Sequence, residues 1–311
     1  MILNLILFLV MLFGLIKSSQ YAIDYSAKLA KSLHLSEFLI SFFIIAIIST
    51  FPETTIGIVS ALEGIPEFGL GTLFGGNIAD LTLVLGLVAL FSKKDLFVRS
   101  NILRKNLFYL FLLFLPVLLG FDGRYSRIDG IILIGSCVLF FFNLYIESGM
   151  FKKKYNGEQK SVKNILLLIL SLIILLLTAY FTVKFGVNFA YDINIPPVLV
   201  GLVLVSLGTC LPELFFSIRA VRNNHNNLAI GDLLGTVVID STLVIGIISV
   251  INPFTFNKSL IYIAGFSMFI AGVIAMIFLK SNKRLSKKEA IWLLLFYFAY
   301  LALELITQRF I

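Results

Sequence analysis

The chain alternates long apolar runs with short polar segments that are rich in Lys and Arg. A helix needs about 20 apolar residues to cross a hydrocarbon core that is about 30 Å thick. Ten runs meet or approach that length. They predict membrane-spanning helices at 2–23, 38–61, 68–91, 103–120, 128–148, 164–186, 195–219, 228–251, 259–279 and 288–308.

The composition strengthens this interpretation. Of the 311 residues, 59% are apolar and 14% are charged, and the mean hydropathy is +1.02. Soluble domains average about 45–50% apolar and about 25% charged residues, so a water-soluble enzyme is disfavoured. Two cysteines within apolar runs and two histidines provide no disulfide framework and no His-based metal site. We therefore expect no bound cofactor.

The distribution of Lys and Arg predicts the orientation in the membrane. With the N-terminus outside, the inner loops hold 19 of these residues and the outer side holds four. Cytoplasmic loops carry such an excess of positive charge, whereas binding to nucleic acid would require a basic surface outside the bilayer. We expect a multi-pass protein of the cell membrane with both termini outside, surrounded by lipid and without a nucleic-acid partner.

An internal repeat is the most informative feature of the sequence. Ser49–Gly86 recurs as Thr209–Gly246 at a constant offset of 160 residues, without a gap. Each copy covers the second and third spans of a five-span half. Because five is odd, the second half enters the membrane from the opposite face. The pattern predicts an all-α membrane protein of ten transmembrane helices, arranged as two inverted five-helix repeats, as in many secondary transporters.

The repeat also predicts the domain organisation. The first half covers 1–150 and contains its repeat at about 38–91. A cytoplasmic linker follows at 151–163. The second half covers 164–311, with its repeat at about 198–251.

Four acidic residues occupy matched positions inside the predicted spans, and no Lys or Arg lies at comparable depth in the repeats. They are Glu53 with Glu213 and Asp80 with Asp240. An ionised carboxylate in a bilayer is costly unless it is paired, hydrated or bound to a cation. A transported cation is therefore the expected partner of these acids.

Each of the two glutamates directly follows a proline. Proline removes a backbone donor and clashes with the preceding turn, so we expect the second and seventh helices to break there. The breaks would free carbonyls such as those of Ala46 and Ser206. The hydroxyls of Ser49, Thr50 and Thr209 lie on the same helical faces as the glutamates. Calcium takes about six to eight oxygen ligands, which this set could supply.

The two copies resemble the α-repeats of the cation/calcium exchanger superfamily, typified by the sodium/calcium exchangers of prokaryotes. The family signature G-T-S-x-P-E, followed by G-N-x-x-G-S-N-x-x-N/D, matches S-T-F-P-E and G-T-C-L-P-E and the Gly-rich segments after them. The resemblance implies a calcium-for-sodium antiporter that works by alternating access. It implies that Glu53 and Glu213 bind calcium and that Asp80 and Asp240 occupy the fourth-ligand positions. It also implies sodium- and calcium-binding hydroxyls at Ser49, Thr50 and Thr209, and main-chain sodium ligands at Ala46 and Ser206. Thr236 stands at a position where the family usually has serine.

Several positions depart from the family signature. Cys210 and Gly76 replace hydroxyl-bearing residues beside the monovalent sites, and Asp80 stands where relatives commonly carry Asn. Asp232 occupies the place of another Asn, near the predicted start of the eighth span, where an acid can serve a helix N-terminus. The extra aspartate at position 80 keeps open an alternative function. The protein could be a proton-coupled exchanger of calcium or another divalent cation on the same fold.

Two rivals come from other functional classes. An intramembrane aspartyl protease would use Gly231-Asp232, but its G-x-G-D context is missing and the paired glutamates would have no role. A passive cation channel would show flux that follows voltage without a counter-ion. We favour a transporter rather than an enzyme, with calcium, sodium or protons as its ions and no obligate protein partner.

Overall fold

The computed structural model describes residues 2–31, 46–92, 95–97, 106–148, 162–223, 226–280 and 284–308. The start of the second predicted span and most of the linker predicted at 151–163 lie outside the described residues.

The helices of the first half follow the predicted spans, although the first helix extends to Lys31, beyond the predicted end at position 23. They are α1 Ile2–Lys31, α2 Ala46–Ser49, α3 Phe51–Leu62, α4 Pro66–Ala79, α5 Leu85–Phe91, α6 Asn106–Leu119 and α7 Arg127–Ser148. A π-helical segment, Asp80–Val84, joins α4 to α5. The strands are β1 Leu96–Phe97 and β2 Arg124–Tyr125.

The second half follows a similar order of elements, with two more π-helical segments among its described residues. Its helices are α8 Val162–Asp192, α9 Pro197–Leu199, α10 Ser206–Arg222, α11 Asn226–Val238, α12 Ile245–Ile251, α13 Lys258–Leu260, α14 Phe266–Lys280 and α15 Lys287–Gln308. Three π-helical segments, Val200–Val205, Ile239–Val244 and Ile261–Gly265, lie between them. The strands are β3 Phe254–Thr255 and β4 Arg284–Leu285.

The protein is a multi-pass integral membrane protein. Seven helical stretches among the described residues are long and apolar enough to cross a bilayer, and a shorter apolar helix covers Leu107–Leu119. The seven are Ile2–Ala22, Pro66–Phe91, Lys163–Asp192, Pro197–Arg222, Ala229–Ile251, Lys258–Lys280 and Lys287–Thr307.

Two helix starts show the 160-residue offset in their hydrogen bonds. Before α7, the Ser126 hydroxyl and backbone N–H donate to Asp129 at 2.7 and 2.8 Å, and the Asp129 N–H donates back at 3.3 Å. Before α15, Ser286 and Glu289 make the same three bonds at the same lengths. Such capping boxes satisfy backbone donors that a helix leaves without partners at its start.

The turn between α3 and α4 holds the two helices of the first repeat close together. Gly64 has φ +76°, and its N–H donates to Ala61 O at 3.3 Å, while the Ile65 N–H donates to Ser60 O at 2.9 Å. This Schellman arrangement needs a left-handed residue after the helix, which glycine adopts without steric cost. Pro66 then begins α4, where a missing N–H costs nothing.

The two halves interlock through paired elements. Strand β1 pairs with β4, and β2 pairs with β3, so each two-stranded sheet takes one strand from each half. The long helices α1 and α8 pack against each other. There Ser18 Oγ lies 3.5 Å from Thr178 Oγ1, its equivalent 160 residues later.

Small residues allow α4 to approach α9 and the π-helical segment Val200–Val205 closely. A Cβ added at Gly75 would lie 2.0 Å from the carbonyl oxygen of Leu202, and one added at Gly71 would lie 2.5 Å from that of Val198. A side chain at either position would therefore push the two repeats apart. Glycine lets the polar residues of both repeats meet inside the bundle.

Candidate functional site

The four predicted acids lie at two kinds of position in the fold. Glu53 sits in the first turn of α3, where the helix dipole favours a negative charge, and Glu213 lies within α10 directly after Pro212. Asp80 and Asp240 lie in the π-helical segments Asp80–Val84 and Ile239–Val244. Such π-helical turns are frequent at functional sites because the wider turn redirects side chains.

The expected helix breaks take a different form in the two halves. Near Pro52, α2 ends at Ser49 and α3 begins at Phe51, with Thr50 between them at φ −75° and ψ 2°. Near Pro212, however, α10 is continuous from Ser206 to Arg222, so the prediction of a broken seventh helix is wrong. Membrane helices can accommodate proline through side-chain hydrogen bonds and local π-helical adjustment, and a π-helical segment directly precedes α10.

The carbonyls of Ala46 and Ser206 are also not freed as predicted. The Ala46 carbonyl accepts the Thr50 N–H and the Ser49 hydroxyl, both at 3.1 Å. The Ser206 carbonyl accepts the Thr209 hydroxyl at 3.1 Å. A proline lacks the N–H that would bond the carbonyl four residues earlier. The carbonyls that lose a helical donor are therefore those of positions 48 and 208, rather than those of 46 and 206.

The four acidic side chains are buried and share one electrostatic environment. Their exposed fractions are 2% for Glu53 and Asp80 and 1% for Glu213 and Asp240. Glu53 and Asp80 each interact electrostatically with both Glu213 and Asp240, and with each other. The acids of both repeats thus lie in one region of the protein, within range of mutual repulsion.

Hydrogen bonds do not satisfy these carboxylates. Among the described residues, no hydrogen-bond partner exists for the oxygens Glu53 Oε2, Asp80 Oδ1, Glu213 Oε1 and Oε2, and Asp240 Oδ1 and Oδ2. No Lys or Arg side chain is buried in the part of the chain whose side chains are described. Buried carboxylates without a partner are strongly disfavoured, so the region requires protons or cations.

The carboxylates of the four acids do not converge on a position where one metal ion could bind them together. No group of three or more His, Cys, Asp or Glu side chains in the described ranges is arranged so that it could hold one metal ion as it stands. The two repeats are nevertheless in contact here, since Cys210 Sγ donates to the Gly76 carbonyl oxygen at 3.6 Å and interacts electrostatically with Glu53 and Asp80. An ion shared by these acids would have to draw the carboxylates closer together.

The remaining predicted hydroxyls make mostly local hydrogen bonds. Thr50 donates to Ile47 O at 2.9 Å, and Ser206 donates to Leu202 O at 2.5 Å. Apart from Ser49 and Thr236, whose contacts cross between repeats, each of these hydroxyls donates to a carbonyl three or four residues earlier in the chain. Asn77 links the halves instead, because its amide donates to Ser241 Oγ at 3.1 Å.

Asp232 lies near the start of the eighth span, as predicted, but not in the first turn of its helix. It is the seventh residue of α11 rather than a residue at its start, and its side chain is 0% exposed. Ser49 Oγ donates to Asp232 Oδ1 at 3.1 Å and lies 2.9 Å from Thr236 Oγ1. Asp232 also interacts electrostatically with Asp80 and Glu213. Its spacing of four from Thr236 on one helix was the signal available in the sequence.

Comparison with known proteins gives a consistent result. The family model described as "Sodium/calcium exchanger protein" matches residues 3–146 and again residues 163–306. The sodium/calcium exchanger MaX1 of Methanosarcina acetivorans is 25% identical, covering 94% of this chain and 97% of that protein.

Solved structures have a similar fold. The sodium-calcium exchanger NCX_Mj, soaked with 2.5 mM Na⁺ and 10 mM Sr²⁺, matches with a TM-score of 0.70 and 26% identity over 97% of this chain and 98% of that one. The H⁺/Ca²⁺ exchanger CAX matches with a TM-score of 0.79 over 96% of this chain and 82% of that one. At 18% identity, the second likeness concerns the fold alone.

Proposed function

Because the chain belongs to the sodium/calcium exchanger protein family, we propose that it is an antiporter that exchanges calcium for sodium by alternating access. The relatives with that activity in their names cover nearly the whole chain. One observation carries the proposal: buried acids from both repeats share one region, and most of their oxygens have no hydrogen-bond partner among the described residues.

The calcium ligands in this proposal are Glu53, Glu213, Asp80 and Asp240. Their charge far exceeds what an empty low-dielectric site can hold ionised, so an arriving divalent cation would be strongly attracted. The hydroxyls of Ser49, Thr50, Thr209 and Thr236 and the carbonyls of Ala46 and Ser206 would complete the coordination of calcium and sodium. Because the two ions use overlapping carboxylates, occupancy by one excludes the other, and this competition couples the two fluxes.

The membrane arrangement in the proposal follows from the repeat. The ten helices would form two inverted halves, 1–150 and 164–311, with both termini outside the cell membrane and a cytoplasmic linker at 151–163. The site would then lie near mid-depth and face each side in turn. Helices α1 and α8, whose spans are mostly exposed, would slide against the remaining helices.

A second candidate is proton-coupled exchange of calcium or another divalent cation. Asp80 favours it, because this buried aspartate interacts electrostatically with Glu53 and its Oδ1 has no hydrogen-bond partner among the described residues, so that it could carry a proton when calcium leaves.

The test is ⁴⁵Ca²⁺ uptake into proteoliposomes under imposed sodium, potassium or proton gradients. We expect uptake that requires a sodium gradient, and its loss in Glu53→Gln and Glu213→Gln. Glu63→Gln is the matched control, since Glu63 is an exposed acid at the C-terminal cap of α3, the helix that carries Glu53. Uptake that persists in both glutamine variants would refute the assignment, and uptake driven only by a proton gradient would favour the second candidate.

A further inference from the structure

A cavity of about 390 Å³ lies between α1 and α8, the pair of long helices whose spans are mostly exposed. Lys17 and Tyr21 belong to its wall on α1, and Leu170 and Ile174 belong to its wall on α8. The two α8 side chains are 52% and 43% exposed, and Tyr21 is 54% exposed. The cavity is therefore a cleft that opens toward the surrounding lipid.

The cleft contains one positive charge without a counter-charge. Lys17 is the only charged residue in the span Ile2–Ala22. Its ammonium group lies 3.4 Å from Gln20 Oε1 and 5.6 Å from the centre of the Phe13 ring, and both of these partners are neutral. No acidic side chain lines the cleft among the residues that the structure describes. Because an ammonium group within a membrane span is costly without an opposite charge, the cleft requires an anion.

The repeat places the cleft in one leaflet. Ser18 Oγ and Thr178 Oγ1, which are 160 residues apart, lie 3.5 Å from each other. In an inverted repeat, equivalent residues meet at the pseudo-two-fold axis, which lies in the plane of the membrane. The α8 residues of the cleft, within 167–174, lie between this contact and the start of α8 at Val162. In the orientation proposed above, that side is the cytoplasmic leaflet.

The packing of α1 on α8 does not itself need a charge at this place. At the 160-residue offset, Lys17 and Tyr21 correspond to Leu177 and Phe181. The same helix pair therefore carries apolar residues at the equivalent positions. A lysine on one side only is expected where it binds a ligand that the other side does not.

We propose that the cleft binds one anionic phospholipid of the cytoplasmic leaflet, with the phosphate against Lys17 and an acyl chain along α8. The Lys17 ammonium group reaches toward Gln20, and thus toward that leaflet, as a long basic side chain does when it seeks a polar headgroup. The Tyr21 hydroxyl, one turn further along α1, would add a second donor to the phosphate. Basic pockets between membrane helices on the cytoplasmic side suit such headgroups, and the apolar wall of α8 suits a hydrocarbon chain.

The experiment measures the lipid bound to the full-length protein by native mass spectrometry. The protein is incubated in detergent with equal amounts of phosphatidylglycerol and phosphatidylcholine that carry the same acyl chains. The wild type should retain about fivefold more phosphatidylglycerol, which is the factor that one lysine contributes to the binding of an anionic lipid. Lys17→Gln should retain the two lipids equally, and Lys17→Arg should keep the preference because it keeps the charge.

Two further comparisons control for position and for shape. Lys184→Gln removes a lysine of α8 that lies over the Tyr180 ring, at 6.0 Å and outside the cleft, and it should keep the wild-type preference. Leu170→Trp fills the cleft and should lower the retention of both lipids. Ile173→Trp makes a similar change at a 50% exposed residue of α8 that does not line the cleft, and it should leave retention unchanged.

Four results would overturn the proposal. Equal retention of the two lipids by the wild type would exclude an anionic headgroup site, and an undiminished preference in Lys17→Gln would remove the lysine from it. Retention that survives Leu170→Trp would place the lipid elsewhere, and a dimer mass in place of a lipid adduct would mean that a second copy of the chain covers the cleft. These measurements involve neither calcium nor sodium, so their failure would leave the proposed antiport intact.

Discussion

Two adjacent glycines in α4 should differ in their tolerance of the same added methyl group. At Gly75, a new Cβ would lie 2.0 Å from Leu202 O and 2.8 Å from both the Leu202 carbonyl carbon and Ser206 Oγ. At Gly76, the nearest atom within reach is Cys210 Sγ, at 3.8 Å. We predict that Gly75→Ala destabilises the protein and that Gly76→Ala does not.

The size of the effect follows from these contacts. A carbon and a carbonyl oxygen approach no closer than about 3.3 Å, so the backbone of the π-helical segment Val200–Val205 must withdraw by about 1.3 Å. Side-chain rotation cannot relieve a clash with a backbone atom. A gap of about 0.5–1 Å already loses a quarter to a half of the dispersion energy of each contact. Because overpacking typically costs about 1–3 kcal/mol, we expect about 3 kcal/mol for Gly75→Ala.

The assay is thermal stability in detergent, measured as the monodisperse fraction after heating. A loss of about 3 kcal/mol should lower the apparent melting temperature by about 5–10 °C, whereas Gly76→Ala should stay close to the wild type. Calcium uptake per folded Gly75→Ala molecule should also fall, since the displaced segment leads directly into Ser206. Equal stability of the two alanine variants would refute the close approach of α4 to this segment.

Three further predictions concern the site and the repeat. Asp80→Asn should change the counter-ion dependence of ⁴⁵Ca²⁺ uptake but retain most divalent binding, and complete loss of binding would mean that its role is misassigned. Gly76→Ser has room for its side chain beside Cys210 and should lower the sodium concentration needed for exchange; an unchanged requirement would exclude a ligand position there. Ser126→Ala and Ser286→Ala should each cost about 1 kcal/mol in thermal unfolding, because both remove the same capping box, and unequal losses would contradict the equivalence of the two helix starts.

Much of the architecture could be predicted because it depends on local pattern. The apolar run at 128–148 became α7 Arg127–Ser148, and the run at 288–308 became α15 Lys287–Gln308. Such agreement is expected, since a bilayer leaves a helix as the only way for a single segment to satisfy its own backbone groups. The 160-residue offset likewise reappears in the capping boxes, because identical spacing of a serine and an acid produces identical local hydrogen bonds.

The candidate site could be predicted only in part. Burial of Glu53, Asp80, Glu213 and Asp240 in one region matches the expectation from the repeat. Their role as ion ligands stays a prediction. The behaviour of the chain at Pro212 was predicted wrongly, because the effect of a proline on a membrane helix depends on the neighbouring turns and not on the proline alone.

The sequence by itself determined the class of protein, the bounds of several helices such as α7 and α15, the repeat and the four matched acids, because each of these follows from composition, period or spacing along the chain. Only the tertiary structure decided which polar groups meet across the repeats. Ser49 reaches Asp232 and Thr236 over more than 180 positions of chain, at 3.1 and 2.9 Å. That contact depends on how closely glycine-lined helices pack, a distance that no local pattern encodes.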